Sequence, residues 1–151
     1  MRNARVDTSK GLDGELIVLA YFDLDEEEIA GSAHAVSATS AERYRVASLS
    51  VDDVLAFREL TALADELADL ATREGIQTLV LRPARLTVYR DALASFIESR
   101  DEAEWMREVD RRPLALVRGL LWALEDLSAE ALRAALAPRP PDEPAEWTPG
   151  R

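Results

Sequence analysis

The sequence contains no cysteine and only one histidine. The absence of cysteine excludes disulfide bonds, thiolate zinc sites and a cysteine nucleophile, and it leaves the redox environment undecided. The six glycines are scattered, so the chain has no glycine-rich loop of the kind that holds phosphate groups in nucleotide-binding proteins. The catalytic residues of an enzyme, if there are any, are therefore unknown, and we expect no cofactor.

Long hydrophobic runs are also absent. Residues 1–15 are polar and lack the apolar core of a signal peptide, and no stretch approaches the roughly 20 residues that a membrane-spanning helix requires. With neither signal present, the simplest expectation is a cytoplasmic protein that has no membrane partner.

Basic residues are few relative to acidic ones. The chain has 29 Asp and Glu against 18 Lys and Arg, a net charge of −11. Because nucleic-acid binding requires a basic surface that contacts phosphates, the composition argues against a nucleic-acid partner. It favours instead a hypothesis in which this chain is an acidic inhibitor, such as an immunity protein or antitoxin, that covers the surface of a basic protein.

The clearest pattern lies in the middle of the chain and predicts a helix followed by a buried strand. Apolar residues recur at intervals of three and four along residues 51–74, the period of a helix that buries one face. Ser50 can cap its first turn, and Gly75 can end it in the left-handed conformation. Residues 76–82 then form a short apolar run that is typical of a strand inside a sheet.

Two further segments predict strands. Residues 15–22 form the most continuous apolar run of the first half, and residues 43–49 alternate between apolar and charged side chains. Since a helix separates residues 43–49 from the strand at 76–82, these three elements predict a βαβ unit with parallel strands.

The rest of the N-terminal half lacks a clear period. Residues 1–10 are polar and are expected to be loose, and Asp13 with Gly14 signals a turn. Residues 23–40 contain many small side chains, and we expect no more than one helical turn there, at residues 26–30, within a loop.

The C-terminal half returns to the helical period. Residues 86–97 predict a helix, with a strand over the first four of them as the alternative. Residues 101–112 are dense in charge and predict a short helix that Pro113 closes. Residues 114–127 predict the most hydrophobic helix, and residues 129–136 a further short one.

These elements predict a single α/β or α+β domain over residues 1–137. Its small sheet of about three strands is packed by an amphipathic helix and a C-terminal helical pair. Residues 138–151 are rich in proline and poor in apolar side chains, so we expect them to form a flexible tail.

Asp23 and Asp25 stand one residue apart in the sequence FDLD, at the end of a predicted strand. Two carboxylates so placed can share a divalent cation. The four residues resemble the opening motif of haloacid-dehalogenase-like phosphatases, which implies metal-dependent chemistry, although glutamates follow where those enzymes have Gly-Thr. The alternative interpretation of residues 23–28 is a solvated acidic loop, and with it we expect no metal site.

His34 is the only candidate for a general base that titrates near neutral pH. It lies among small residues, and no acidic residue stands next to it to orient the imidazole. We therefore favour a role in a loop or in packing over catalysis.

Trp122 lies outside the apolar stripe of its predicted helix, near Arg118 and Glu125. Either another helix covers it, or it anchors a partner, because tryptophan is enriched among the residues that dominate binding energy. Trp147, in the tail, is either a short docking motif or without a role. Trp122, Arg118 and Trp147 are the predicted interaction residues.

The leading hypothesis for function is a non-enzymatic, cytoplasmic protein-interaction or adaptor domain that associates with itself, for example as a homodimer. The helices carry much aliphatic surface relative to a three-stranded sheet, and the usual catalytic sets are missing. The alternatives are a divalent-metal-dependent hydrolase or phosphatase that uses Asp23 and Asp25, and the acidic inhibitor.

Overall fold

The computed structural model describes residues 1–46, 50–101 and 108–137. Within these ranges the chain forms an α+β fold, a three-stranded antiparallel sheet with four helices, which confirms the predicted fold class. In chain order the elements are β1 (Arg2–Lys10), β2 (Leu16–Leu24), α1 (Glu26–Val46), α2 (Val51–Leu70), β3 (Gln77–Leu81), α3 (Pro83–Asp101) and α4 (Glu108–Leu136).

The strand β2 lies at the centre of the sheet, between β1 and β3. Its side chains alternate, so that one face is buried and the other is only partly covered. Phe22 lies on the buried face and stacks on Tyr89 of α3, with ring centroids 6.2 Å apart. Tyr21 lies on the opposite face, between Arg5 of β1 and Val80 of β3. The core is therefore built on one face of the sheet.

The predicted strands are only partly correct. Strands at residues 15–22 and 76–82 are confirmed as β2 and β3, which pair with each other antiparallel. The predicted strand at 43–49 is wrong, because α1 continues to residue 46, and residues 47–49 lie outside the described ranges. The predicted βαβ unit, which joined that strand to residues 76–82, is therefore wrong as well. The third strand is β1, which we expected to be loose and which a hairpin joins to β2.

The helix α1 replaces the predicted loop at residues 23–40. Its buried face is built largely from small residues, which lets it contact α2, α3 and α4 at once. Thr39 shows how polar side chains are accommodated there: its hydroxyl donates to the carbonyl oxygens of Ala35 at 2.9 Å and Ala92 at 3.1 Å. The hydrophobic period that marks a helix in sequence is weak in such a segment.

The helix α2 confirms the central prediction. Ser50 caps it, since the backbone N–H of Asp53 donates to the Ser50 hydroxyl at 3.2 Å. The helix ends at Leu70, four residues earlier than predicted, and Gly75, at φ 83°, lies in the turn before β3. Four leucines of the predicted apolar face are buried, Leu60, Leu63, Leu67 and Leu70.

The C-terminal helices are longer than predicted. The helix α3 confirms the predicted helix over residues 86–97 and excludes the alternative strand. The helix α4 is continuous, so the predicted boundary at Pro113 and the predicted pair 114–127 and 129–136 are both wrong. Ser128, which separates the two predicted helices, is buried inside α4 and accepts a hydrogen bond from Arg90 at 3.5 Å.

None of the helices in the described part of the chain has an apolar stretch long enough to cross a membrane. The predicted tail at residues 138–151, including Trp147, lies outside the described residues, so the division into a domain and a tail stays a prediction.

Candidate functional site

Asp23 faces the partly covered side of the sheet and connects all three strands. Its carboxylate accepts hydrogen bonds from Thr78 of β3 at 2.6 Å and from Asn3 of β1 at 2.8 Å. These two hydrogen bonds, with a smaller contribution from the charge of Arg5, hold the pKa of Asp23 below its usual value. The Asp23 carboxylate therefore has a structural role, because its hydrogen bonds link the central strand to both of its neighbours.

Asp25 has a different task from Asp23. Its carboxylate accepts a hydrogen bond from the backbone N–H of Glu28 at 2.8 Å, and the Glu28 carboxylate accepts one from the N–H of Asp25 at 3.2 Å. This reciprocal pair is a capping box that starts α1. Across the described ranges, no three histidine, aspartate or glutamate side chains form a group that could hold a metal ion.

His34 lies on the exposed side of α1 rather than in a loop. The edge of its ring meets the ring of Phe96 at a centroid distance of 5.6 Å, and it lines an open groove of about 370 Å³ between α1 and α4. Arg112 also lines this groove, where its guanidinium is hydrogen-bonded to Glu27. The contact with Phe96 shows that the ring of His34 packs against α3, while its role stays a prediction.

A buried polar cluster between α1 and α3 was not predicted. Ser32 and Tyr89 are fully buried and share a hydrogen bond between their hydroxyl groups. Glu28, one turn before Ser32, binds the ammonium group of Met1. The signal in the sequence is the spacing of Glu28 and Ser32, which places both on one face of a helix. Because the hydroxyl groups are enclosed, this cluster is a structural feature rather than a site for substrate.

Trp122 is not covered by any described element. It lies opposite the buried face of α4, and 77% of its surface is exposed. The alternative in which another helix covers Trp122 is therefore excluded for the described part of the chain. The buried residues that define the opposite face are Leu114, Val117, Leu120, Leu124, Leu127, Ser128 and Ala131.

The residues around Trp122 form a regular exposed row, which we call the α4 stripe. At 100° per residue they lie within about 40° of Trp122 on the helix surface. Arg118 stands one turn before Trp122 and Asp126 one turn after it, so charges of opposite sign flank the indole. The stripe consists of Ala115, Arg118, Trp122, Asp126 and Ala129, all of which are exposed.

Gly119 leaves a flat area beside the α4 stripe. A Cβ atom built at this glycine would have no neighbouring atom within 4 Å. The helix surface next to the large indole of Trp122 is therefore low and open. This combination of a bulky anchor, a shallow area and two opposite charges is a candidate binding surface.

A second set of exposed apolar residues lies on the first turns of α2. Val51, Val54 and Leu55 are all exposed there. They adjoin residues 47–49, which lie outside the described ranges, so their surroundings are incomplete. The α4 stripe lies within a continuously described helix and is the better-defined surface.

Comparison with known proteins adds no functional information. A scan against protein-family models and searches of curated proteins and of solved structures found no match to this chain. The resemblance of FDLD to phosphatases gains no support from them. The function must therefore be argued from the surface itself.

Proposed function

We propose that this chain is a non-enzymatic, cytoplasmic protein-interaction domain and that the α4 stripe is the surface with which it binds another protein. The observation that supports this proposal is the exposure of Trp122 at the centre of α4. Tryptophan is among the residues most enriched at the centres of protein interfaces.

The free energy available at this residue is large for a single side chain. Burying an aromatic residue removes about 150–250 Å² from water, and at about 25 cal/mol per Å² the exposed part of Trp122 corresponds to about 3–5 kcal/mol. Association costs offset part of this contribution. A partner that covers the indole therefore gains most of its binding energy at one point.

The charges beside Trp122 define the chemistry of the partner surface. A carboxylate opposite Arg118 and a basic group opposite Asp126 would each add an attractive contact with the partner. We therefore infer a folded protein partner that offers a shallow apolar site between an acidic and a basic side chain.

The metal-dependent hydrolase hypothesis gains no support from the geometry. Asp23 is hydrogen-bonded within the sheet and Asp25 caps α1, so each carboxylate has a structural task. The acidic-inhibitor hypothesis is compatible with the proposed surface, and it makes the further prediction that the partner is basic.

Photo-crosslinking tests the proposed surface without altering Trp122. A photoreactive residue is placed at Ala129 on the α4 stripe, and, as a matched control, at the exposed Ala68 on α2. In cells that make the protein, we expect cross-linked protein from position 129 and little from position 68. The product from position 129 should disappear in Trp122→Ala. Equal yields at both positions, or a yield that Trp122→Ala leaves unchanged, would overturn the proposal.

A further inference from the structure

We propose that the protein bound by the α4 stripe is a second copy of this chain, paired antiparallel along α4 about a two-fold axis at Trp122. This inference rests on the proposed function and names its partner. A two-fold interface requires one surface to be complementary to itself, so that a residue before the axis meets a residue after it in the other copy.

The charges of the α4 stripe meet this requirement. Arg118 lies four residues before Trp122, and Asp126 lies four residues after it. In an antiparallel pair centred on Trp122, Arg118 of one copy faces Asp126 of the second copy, and symmetry repeats this ion pair on the other side of the axis. A parallel pair in the same register would place Arg118 against Arg118, so the charges select the antiparallel orientation.

The sizes of the side chains follow the same symmetry. Ala115 and Ala129 lie seven residues before and after Trp122, about 10 Å away along the helix, and they face each other in the antiparallel pair. Small residues at these points allow the helices to pack closely on either side of the axis. At the axis Trp122 of one copy faces Trp122 of the second, and the low, open surface at each Gly119 leaves room for the two indoles.

The antiparallel pairing brings like charges together beyond the two ends of the α4 stripe. Arg111 and Arg133 lie eleven residues on either side of Trp122, and strict antiparallel pairing would bring them together. They are about 16 Å from the axis, where the usual crossing angles of packed helices separate the two chains by several ångströms. The Debye length of about 8 Å at physiological salt limits the repulsion between the remaining acidic surfaces.

Sedimentation of the purified protein as a function of concentration, at physiological salt, tests whether a second copy of the chain binds the α4 stripe. We expect a monomer–dimer equilibrium, and Trp122→Ala should raise the dissociation constant at least about 30-fold, the equivalent of a 2 kcal/mol anchor. A protein that remains monomeric at millimolar concentration would overturn this inference. If position 129 still cross-links to a different protein in cells, the proposed function stands while the second copy is excluded.

A charge exchange tests the antiparallel arrangement. Arg118→Asp and Asp126→Arg should each weaken the dimer about 10-fold, because each places two pairs of like charges across the axis. The variant that carries both changes should return to within about threefold of the original affinity, since symmetry brings the exchanged residues together. Glu98→Arg, an exposed residue of α3, is the control for net charge and should have little effect. A double variant as weak as the single ones would overturn the arrangement.

Gly119→Leu tests the interface by a change that should not lower the stability of the monomer. Leucine favours a helix more than glycine does, and a Cβ atom at this position has no neighbour within 4 Å in the same copy, so the monomer should be at least as stable as before. In the dimer the leucine fills the open area beside the paired indoles and should weaken association at least about 10-fold. An unchanged dissociation constant would contradict the position assigned to Trp122.

Discussion

Tyr89 is a polar residue that the fold buries completely, and its hydroxyl group is satisfied by Ser32. Burial raises the pKa of Tyr89 because a phenolate would lose its hydration; the hydrogen bond with Ser32 acts in the opposite direction, and the nearby charge of Glu28 adds to the increase. Tyr89 therefore stays neutral, and it contributes to stability through packing and one hydrogen bond.

Removing both partners of this buried pair should cost less than the sum of the costs of removing each one alone. Ser32→Ala should lower the free energy of unfolding by about 1–3 kcal/mol, because the Tyr89 hydroxyl would be left buried without a partner. The double variant Ser32→Ala with Tyr89→Phe should cost less than the two single variants together. Urea unfolding measures these differences, with Ser37→Ala, an exposed serine of α1, as the control. Strict additivity would contradict the assigned hydrogen bond.

Asp23 makes the stability of the sheet depend on acidic pH. Because its pKa is lower in the folded than in the unfolded protein, its contribution is fully present above the unfolded value of about 3.9 and is lost as the pH falls through the folded value. Asp23→Asn should therefore be less stable than the original protein at pH 6, and the difference should shrink below pH 4. Urea midpoints measured between pH 6 and pH 2.5 test this expectation, and a constant difference would contradict it.

Thr78 is the matched position for this experiment. Its hydroxyl makes the hydrogen bond that contributes most to the lowered pKa of Asp23. Thr78→Val should flatten the acid dependence in the same direction as Asp23→Asn but less completely, since Asn3 still donates to the carboxylate.

At the scale of elements, α2 could be predicted because its information is local. A leucine row at intervals of three and four, with Ser50 before it, specifies both the helix and its buried face. The bounds were less predictable, since the helix ends at Leu70 while polar residues continue to Gly75.

Two leucines of α2 provide a direct test of that buried face. Leu63→Ala should lower the free energy of unfolding by about 2–5 kcal/mol, because it leaves a cavity under a fully buried side chain. Leu55→Ala makes the same chemical change where 54% of the side chain is exposed, and it should change stability far less. Thermal or urea unfolding compares the two, and similar losses would show that the leucine row is wrongly oriented.

The helix α1 could not be predicted from its hydrophobic period. Its buried positions include Ser32 and Thr39, whose hydroxyl groups are satisfied only by residues of α3 that lie more than 50 positions away. Small and polar residues on the buried face of a helix predict a loop as long as the residues that they contact in the fold are unknown. Tertiary contacts, rather than local preference, define this element.

Pro113 illustrates the same limit at a boundary. Proline in a helix interior removes a backbone hydrogen bond and usually ends the helix, which is why the sequence predicted a break there. The helix α4 nevertheless includes Pro113 as its sixth residue, and Leu114 and Val117, which follow in the next turn, are buried in the core. Packing of the following turns compensates for the lost hydrogen bond.

At the scale of the whole molecule, the sequence predicted the correct class of fold with one wrong strand. The edge strand β1 is mostly exposed, so it lacks the apolar alternation that marks strands, and its pairing with β2 is visible only in three dimensions. The candidate surface was partly predictable: Trp122 and Arg118 were named, while Asp126 and Gly119 were missed. Their spacing around Trp122 at the helical period was the available signal.

The excess of acidic residues should make stability depend on salt. With a net charge of −11, the compact fold is opposed by repulsion among its own carboxylates. The urea midpoint of Trp122→Ala, chosen to keep the protein monomeric, should therefore rise between about 0.01 M and 0.15 M sodium chloride as this repulsion is screened. Choline chloride should give the same increase if the effect is ionic strength rather than specific binding. A fall in the midpoint would show that favourable ion pairs dominate instead.

The outer edge of β1 carries a consequence for solubility. An edge strand of nine residues offers amide groups to which another chain could add, and such addition leads to aggregation. Here Arg2, Arg5 and Lys10 bring charge to the strand, and the register is shifted between Arg2 and Arg5, which interrupts the regular row of amides. Replacing these cations with valine or threonine would leave an uncharged edge strand to which other chains could add, and fibres could grow from it.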